Sequence, residues 1–416
     1  MRVIAASLVA ATAHGLRMLA NLVILKLIAI FVGPAGLGVL GNLMSLTTMA
    51  SVFAGGGIGN GIAKYVAQYQ GQPIRRIRFI GSAMTYGTVV SLVILTVTLL
   101  AAKPIATHIL AMPDQTWLVP LLGVAQFLCF IGTGSIAVAN GEHRTDLFAT
   151  ISISAYLLVI PISCFLIYFF GMSGAAIALL LTISCTAFPS FYYMVRSRSR
   201  KALHFRAARG DLKKLGRFSL MILASALFFP SAEIFIRNQI AGHLGYESAG
   251  IWQALNRLSG AYLGFFTIFL SAHYMPRLSS MLSRRDITDE IQKYLAGIGV
   301  TFLFFALVLY LCRDLVIELL FSSSFSAMRD LLPLQMLGDL FRVMSYVIGF
   351  LGVAKAALGL YVAAELLQTG LYTLLSWLAL RGGGDLYTVV QGYVWTYTLY
   401  FGVTLVSLRI YSRHGP

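Results

Sequence analysis

The stretch RSRSRKALHFRAARGDLKKLGR, residues 196–217, divides the chain near its middle. It carries nine Lys and Arg side chains and one acidic side chain, that of Asp211. The sequence on both sides is strongly apolar, because 58% of the 416 residues are hydrophobic and only 11% are charged. This composition excludes a soluble globular domain and indicates a polytopic membrane protein.

Apolar segments of about 20 residues, the length that crosses the hydrocarbon core of a bilayer, recur on both sides of this basic stretch. The six before it are 3–31, 37–61, 79–102, 116–139, 147–170 and 174–195, and the six after it are 218–241, 249–272, 294–312, 331–354, 358–380 and 386–410. The sequence therefore predicts an all-α polytopic membrane protein of about twelve transmembrane helices, arranged as two six-helix bundles around a central cavity. The predicted N-terminal bundle is 1–195, the basic cytoplasmic linker is 196–217, and the C-terminal bundle is 218–416.

The distribution of Lys and Arg supports this topology. If both termini are cytoplasmic, 22 of the 31 Lys and Arg residues lie in cytoplasmic segments, counting Arg409 at the inner end of the last span, with four in outer loops and five within spans. Such a bias follows the positive-inside rule of membrane proteins. It predicts that both termini are cytoplasmic, and it explains the net charge of +16 without a nucleic-acid partner. The basic linker is expected to rest on anionic lipid headgroups.

A weak internal repeat links the two halves. Ala35-Gly36-Leu37 with Asn42 recurs as Ala249-Gly250-Ile251 with Asn256, an offset of 214 residues. Because six predicted helices lie between the two copies, the halves have the same orientation and are expected to be related by an axis along the membrane normal. A chance match of small residues is the alternative explanation.

Polar and ionisable side chains inside the predicted spans indicate a watery interior, since lipid penalises each charged group by about 2.5 kcal/mol or more. Carboxylates held in such a place are also candidates for carrying a coupling ion, because burial favours their protonated form. The candidate substrate-binding residues are Arg17, Asn21, Asn42, Asn60, Asn256, Arg257, Gln335 and Arg342. The candidate ion-coupling residues are Glu233, Asp339 and Glu365.

Two of the intramembrane cations, Arg17 and Arg257, have no obvious acidic partner on their own helices. A positively charged cavity favours an anionic cargo. Arginine suits phosphate in particular, because its planar guanidinium donates two parallel hydrogen bonds to adjacent oxygens. An ion pair with Glu365 across helices is the alternative role for these arginines.

Motifs for enzyme chemistry are absent from the sequence. There is no GxxxxGK[ST] loop, and the glycine run at 55–61 ends a membrane helix, which favours a helix bend or close helix packing over a phosphate cradle. The four cysteines lie in apolar runs without CxxC spacing. The sequence therefore predicts a transporter and not an enzyme, with no metal site and no cofactor, and with H⁺ or Na⁺ as a candidate coupling ion.

Several short runs in both halves carry a resemblance to a known family. They are GPAGLG (33–38) with Asn42, GNGIAKYVAQY (59–69), AGIWQ (249–253), RDIT (285–288) and FSAMRD (325–330), followed by Gln335, Gly338-Asp339, Ala354-Lys355-Ala356 and Ala363-Ala364-Glu365. Through these runs the chain resembles the Wzx-type polysaccharide flippases of the multidrug/oligosaccharidyl-lipid/polysaccharide (MOP) exporter superfamily. The likeness covers most of the chain.

The resemblance implies two six-helix bundles that work by alternating access. The implied cargo is an undecaprenyl-pyrophosphate-linked oligosaccharide, moved from the cytoplasmic to the periplasmic leaflet of the bacterial inner membrane for the synthesis of enterobacterial common antigen or a related surface polysaccharide. Membrane lipids, the polysaccharide polymerase and the chain-length regulator are the implied partners. An ion-coupled multidrug exporter and a non-transporting scaffold for the glycan polymerase are the alternatives. Excess intramembrane cations disfavour the former, and the cost of intramembrane charge disfavours the latter.

Overall fold

The computed structural model describes residues 2–196, 208–355 and 357–413, and within them the chain forms helices and short connections without a β-strand. Most of the predicted linker, at 197–207, lies outside the described residues. Its cytoplasmic position and its contact with lipid headgroups therefore stay predictions.

The part of the chain before the linker forms eight helices. They are α1 (Arg2–Phe31), α2 (Gly33–Phe53), α3 (Gly59–Gln68), α4 (Pro73–Leu100), α5 (Ala102–Pro104), α6 (Leu118–Gly141), α7 (Thr145–Ser184) and α8 (Ala187–Arg196). Proline stands in the first turn of α2 and of α4. Its fixed φ suits a helix start, where no N–H group is needed for an intrahelical hydrogen bond.

The part after the linker forms seven helices. They are α9 (Arg209–Phe269), α10 (Met275–Ser280), α11 (Arg284–Leu311), α12 (Arg313–Leu320), α13 (Met328–Ala354), α14 (Leu358–Arg381) and α15 (Leu386–Arg413). A π-helical turn at Leu270–Tyr274 joins α9 to α10.

Two long helices are interrupted by glycines with positive φ. Gly171 in α7 has φ 53° and ψ −123°, and Gly245 in α9 has φ 85° and ψ 165°. A residue with a Cβ atom is strained at such angles. The two breaks fall between the spans predicted at 147–170 and 174–195 and between those at 218–241 and 249–272. Within the described residues, each of the twelve predicted spans therefore has its own helical segment.

Six of the described helical stretches are long and apolar enough to cross a membrane by length and composition alone. They are Gly33–Gln68, Pro73–Leu100, Leu118–Gly141, Thr145–Tyr193, Arg284–Leu311 and Met328–Ala354. The prediction of an all-helical polytopic membrane protein is confirmed.

The chain divides into two compact units. The first unit comprises Met1–Val32 and Asn42–Pro230, and the second comprises Gly33–Gly41 and Ser231–Pro416. The start of α2 therefore belongs to the second unit, and the start of α9, up to Pro230, belongs to the first. The predicted bundles 1–195 and 218–416 assign these two segments the other way, and the bundle boundaries stay predictions.

In the first unit, α6 packs closely on α4 and α7 through the ring of Phe130 and small residues around it. A Cβ atom at Gly55 or Gly87 would overlap this ring. Gly55, Gly56 and Gly57 all have positive φ, between 65° and 79°, and they turn the chain from α2 into α3. The interpretation of this glycine run as a bend with close helix packing is confirmed.

In the second unit, the start of α2 crosses α9 at two glycines. A Cβ atom on Gly38 would overlap the carbonyl oxygen of Tyr246, and one on Gly250 would overlap the carbonyl oxygen of Pro34. Such small residues allow two helix backbones to approach closely inside a membrane protein.

The two contacts are related by a shift of 212 residues along the chain, under which Pro34 corresponds to Tyr246 and Gly38 to Gly250. The positive-φ glycines that precede the two helices, Gly33 and Gly245, are separated by the same distance along the chain. The repeat predicted from the two Ala-Gly pairs has an offset of 214 residues, so these contacts do not reproduce its register, and the repeat stays a prediction.

The start of α15 is capped by Asp385, whose carboxylate accepts hydrogen bonds from the backbone N–H (3.0 Å) and the hydroxyl (2.9 Å) of Thr388. These bonds lower the pKa of Asp385 below its ordinary value. The stabilisation they provide is present above the unfolded-state pKa of about 3.9 and is lost as the pH falls through the folded-state value.

Replacing Asp385 with Ala is therefore expected to lower the free energy of unfolding at neutral pH by about 1 kcal/mol, as for other N-cap residues. The thermal unfolding of the purified protein in detergent, followed from neutral pH to about pH 3, measures this. Asp385→Asn is the control, because asparagine caps a helix without titrating. A pH-independent difference between the Ala variant and the wild type would contradict the assignment.

Candidate functional site

The second unit has a polar core inside its apolar helices. It lies where α13 packs on α14 and α15 and where the later part of α9 approaches them. The buried polar side chains in these spans include Arg237, Gln253, Ser259, Gln335, Asp339, Gln368, Ser376 and Thr396. Burial of so many polar groups is costly unless they bond to one another, to water or to a ligand.

Asp339 on α13 is the centre of this core and is fully buried. Its carboxylate accepts hydrogen bonds from Ser259 Oγ at 2.6 Å, from Tyr393 OH at 2.5 Å, and from the hydroxyl of Tyr262. Such charge-assisted bonds offset part of the cost of removing a carboxylate from water. The arrangement is a carboxylate surrounded by hydroxyl oxygens, a set that can hold a proton or a small cation.

Arg342 lies one turn along α13 from Asp339. Its Nε donates to Tyr346 OH at 2.8 Å, and its Nη1 donates to Tyr393 OH at 3.1 Å. The guanidinium also lies 5.1 Å from the ring centre of Tyr397, within the range of a cation–π contact. Because Tyr393 donates to Asp339 and accepts from Arg342, it connects the carboxylate to the guanidinium.

Several polar atoms of the same core are buried and have no hydrogen-bond partner among the described residues. They are Gln335 Nε2, Thr369 Oγ1, Ser376 Oγ and Tyr397 OH. Buried polar groups in folded proteins nearly always have a partner, so each of these atoms is available to water, an ion or a polar group of the cargo.

A second buried cation, Arg237, has a packing role. Its Nε and Nη2 donate to Gln253 Oε1 at 3.1 and 2.5 Å, and its guanidinium lies 5.4 Å from the ring centre of Trp252. A Cβ atom at Gly41 would overlap the Arg237 side chain. Arg237 therefore fastens the start of α2 to α9 within the second unit.

The two arginines predicted to bind phosphate lie in different units, Arg17 in the first and Arg257 in the second. Arg17 is exposed, and Arg257 is half-buried within electrostatic reach of the Glu233 carboxylate. Arg17 lies close enough to Tyr156 and Cys185 for its charge to interact with both side chains. Glu365, the alternative partner, instead accepts a hydrogen bond from Gln368 Nε2 at 3.2 Å.

The remaining predicted residues are distributed over both units. In the first unit, Asn21 is exposed one turn from Arg17, Asn60 is exposed at the start of α3, and the buried Asn42 donates to the carbonyl oxygen of Leu110 at 3.5 Å. In the second, Glu233 is half-buried one turn before Arg237. The structure thus brings Gln335, Asp339 and Arg342 together on one helix of the polar core, as predicted, with Asn256 and Glu365 on adjoining helices. Their roles in binding and coupling stay predictions.

Four residues of the site were missed by sequence reasoning, namely Ser259, Tyr262, Tyr393 and Tyr397. A signal was present, because Tyr393, Tyr397 and Tyr400 recur at intervals of four and three residues and share one face of α15. Asn256, Ser259 and Tyr262 likewise recur every three residues on α9. Hydroxyl groups carry no charge, so a search for intramembrane charges did not find them.

The sequence matches the family model described as "Polysaccharide biosynthesis protein" over residues 3–282. It is also similar to the lipid III flippase of Escherichia coli (strain K12), with 33% identity over 403 residues that cover 95% of each chain.

The fold is similar to those of solved transporters. One is an inward-facing MATE family multidrug resistance transporter of the MOP superfamily, with a TM-score of 0.71, 18% identity and coverage of 96% of each chain. Another is the lipid II flippase MurJ in an inward closed conformation, with a TM-score of 0.71, 16% identity, and coverage of 98% of this chain and 87% of that one. The fold is therefore that of the MOP superfamily transporters.

Proposed function

Since this chain belongs to the polysaccharide biosynthesis protein family, we propose that it is a flippase for an undecaprenyl-pyrophosphate-linked oligosaccharide of the lipid III type. The observation that carries the proposal is the 33% identity to the lipid III flippase over 95% of both chains. The chain is a transporter and not an enzyme. The product would serve the synthesis of enterobacterial common antigen or a related surface polysaccharide.

The cargo's charge must be compensated while its headgroup crosses the bilayer. Arg17 and Arg257, two cations inside predicted spans, are proposed to bind the pyrophosphate. A guanidinium donates two parallel hydrogen bonds to phosphate oxygens and stays protonated in proteins. The amides of Asn21, Asn42, Asn60, Asn256 and Gln335, with Arg342, are proposed to bind the sugar hydroxyls.

Coupling to an ion gradient is proposed to take place at Asp339. Its carboxylate and the three hydroxyls around it provide oxygen ligands for Na⁺, or a site where a proton is taken up and released. Glu233 and Glu365 are proposed as further carriers of the coupling ion. The connection of Asp339 to Arg342 through Tyr393 gives a route by which a change of charge alters the polar core.

The protein is a multi-pass membrane protein, and its proposed location is the bacterial inner membrane with both termini in the cytoplasm. The proposed direction of transfer is from the cytoplasmic to the periplasmic leaflet, by alternating access. The polysaccharide polymerase and the chain-length regulator are proposed as partners on the resemblance alone.

Reconstitution into vesicles tests the function. A labelled polyprenyl-pyrophosphate glycan is added during reconstitution, and its transfer between leaflets is followed by accessibility to an impermeant reagent. Protein-dependent transfer is expected, with no transport of small cationic drugs in the same vesicles. Drug transport without glycan transfer would favour the multidrug exporter and contradict the proposal, and the absence of both activities would favour a scaffold.

Replacing Arg17 and Arg257 with alanine together is expected to reduce glycan transfer about tenfold or more, because each loses a charge-assisted contact of about 1.5–3 kcal/mol. Initial rates in the vesicle assay measure the effect. Arg381→Ala is the matched control, since it removes an exposed cation at the end of α14. Equal rates for the double variant and the control would rule out the phosphate role.

A further inference from the structure

The end of the first unit where α3 stops and α4 begins carries a cluster of cations held by aromatic rings. Tyr65 and Tyr69 of the KYVAQY run pack on Phe79, with ring centres 5.1 and 5.7 Å away. The Arg75 guanidinium lies 4.5 Å from the ring centre of Tyr69. Lys214 Nζ lies 5.1 Å from that of Tyr65 and donates to Tyr69 OH at 3.2 Å. The rings thus fix two cations from different helices in one place.

A cleft of about 660 Å³ opens beside this cluster, between the first turns of α4 and α9. It is lined by Gln72, Pro73, Ile74, Arg75, Arg78, Ala208, Gly210 and Asp211. Arg75 and Arg78 are both exposed, and Asp211 is the only acidic side chain in the lining. The two arginines and the positive ends of two helix dipoles make the cleft suitable for an anionic group with more than one charge.

Further along the same two helices is an apolar groove of about 580 Å³. Its walls come from α2, α4, α6, the start of α9 and the π-helical turn Ile105–Ile109, and they include Met49, Phe53, Val90, Ile94 and Leu122. The few hydroxyls are engaged within the protein: Tyr86 OH donates to Ser219 Oγ at 2.9 Å, and Thr98 Oγ1 donates to the carbonyl oxygen of Leu95 at 2.8 Å. The lining therefore offers an occupant little beyond apolar contact.

The cleft and the groove follow one another in the same direction on both helices. On α4, Arg78 lines the cleft and Tyr86 lines the groove; on α9, Asp211 lines the cleft and Ser219 lines the groove. Each pair is separated by eight residues, or about 12 Å of helix. Gly56 keeps the groove open at this level, because a Cβ atom there would come within 2.8 Å of Ser219 Oγ.

We infer that the cleft and the groove together form a binding site for the cargo lipid, with the pyrophosphate in the cleft and the adjoining part of the polyprenyl chain in the groove. The inference rests on the proposed function. Arg75 and Arg78 in the cleft lining, with Lys214 in the cluster beside it, match a diphosphate better than the single negative charge of a glycerophospholipid. A single groove also accepts one hydrocarbon chain, whereas a glycerophospholipid has two.

Binding measurements on variants of the groove test this inference. Val90→Trp and Ile94→Trp each fill the groove, and Val93→Trp on the exposed side of the same helix is the matched control. The affinities of the detergent-purified protein for undecaprenyl pyrophosphate and for farnesyl pyrophosphate are compared. The wild type and Val93→Trp are expected to bind the longer lipid about tenfold more tightly, a difference of about 1.4 kcal/mol. Either groove variant, provided that it keeps the wild-type thermal unfolding midpoint, is expected to lose this preference.

If folded Val90→Trp and Ile94→Trp both keep the preference, the groove does not hold the chain and the inference is overturned. A competition arm identifies the source of the lipid, with phosphatidylglycerol added to mixed micelles at the same concentration as undecaprenyl pyrophosphate. Displacement of the pyrophosphate lipid would show that the site takes ordinary membrane lipid, which also overturns the inference. Retention of the bound pyrophosphate lipid supports it.

The cleft is tested by the double variant Arg75→Gln and Arg78→Gln. It is expected to bind both pyrophosphate lipids about tenfold more weakly, with the ratio of the two affinities unchanged. The vesicle assay separates this inference from the proposed function. If the wild type transfers the glycan but the groove variants keep their preference for the longer lipid, only the inference about the groove is overturned. Absence of wild-type transfer would remove the proposed function, and tail-dependent binding would then show a lipid-binding site of another role.

Discussion

Asp339→Asn is expected to reduce ion-driven glycan transfer about tenfold or more and to abolish its dependence on the H⁺ or Na⁺ gradient. Asparagine has nearly the size of aspartate, but it neither titrates nor supplies the negative charge that attracts a cation. Its amide nitrogen would also face a hydroxyl that now donates to the carboxylate. Initial transfer rates in vesicles with imposed gradients of each ion measure the effect and identify the ion.

The matched control is Asp330→Asn, an exposed carboxylate on the same helix. It is expected to transfer the glycan at the wild-type rate. Tyr393→Phe, which removes the hydroxyl between Asp339 and Arg342, is expected to give an intermediate rate with the gradient dependence retained. An Asp339→Asn protein that still responds fully to a gradient would place coupling elsewhere, with Glu233 and Glu365 as the next residues to replace.

Gly250→Ala is expected to lower the free energy of unfolding by about 1–3 kcal/mol, the usual cost of overpacking a close-packed site. The new methyl group would meet the backbone carbonyl of Pro34, which cannot rotate away, so α2 and α9 would have to separate. Replacing glycine with alanine inside a helix normally stabilises the helix by about 1 kcal/mol. A loss of stability in Gly250→Ala would therefore indicate the close contact with Pro34. Thermal or denaturant unfolding in detergent measures the change.

Gly264→Ala on the same helix is the control, because a Cβ atom at that position meets nothing within 4 Å. It is expected to leave stability unchanged or slightly increased. Gly38→Ala tests the reciprocal contact with Tyr246 and should match Gly250→Ala in sign. If both crossing variants are as stable as Gly264→Ala, the two helices do not pack at these glycines.

Much of the fold could be predicted from composition and charge alone. The length of apolar segments is set by the thickness of a bilayer, so twelve spans could be predicted, and each has a helical segment among the described residues. The breaks at Gly171 and Gly245 fall between predicted spans for the same reason. Gln335, Asp339 and Arg342 lie within one predicted span at intervals of four and three residues, a spacing that puts them on one face of a helix.

Packing between helices could not be predicted in the same way. The three hydroxyls on Asp339 come from two other helices, so their meeting depends on how α9 and α15 lie against α13. Hydropathy likewise gives no information about which helices the end of a given helix packs against. It assigned 33–41 to the first half of the chain, whereas Gly38 and Gly41 pack on partners from the second half.

The first turns of α2 belong to the second unit and the rest of α2 to the first, which has a consequence for cutting the polypeptide into two fragments. A polypeptide cut in 197–207 would give two fragments, and the N-terminal fragment would carry residues 33–41 away from Tyr246, Gly250 and Arg237, against which they pack. The C-terminal fragment would lack the turns that cover those residues, and it would carry the start of α9, up to Pro230, away from the first unit to which it belongs. Each fragment would therefore contain a segment that packs in the other unit, and an uncut chain keeps both segments with their partners.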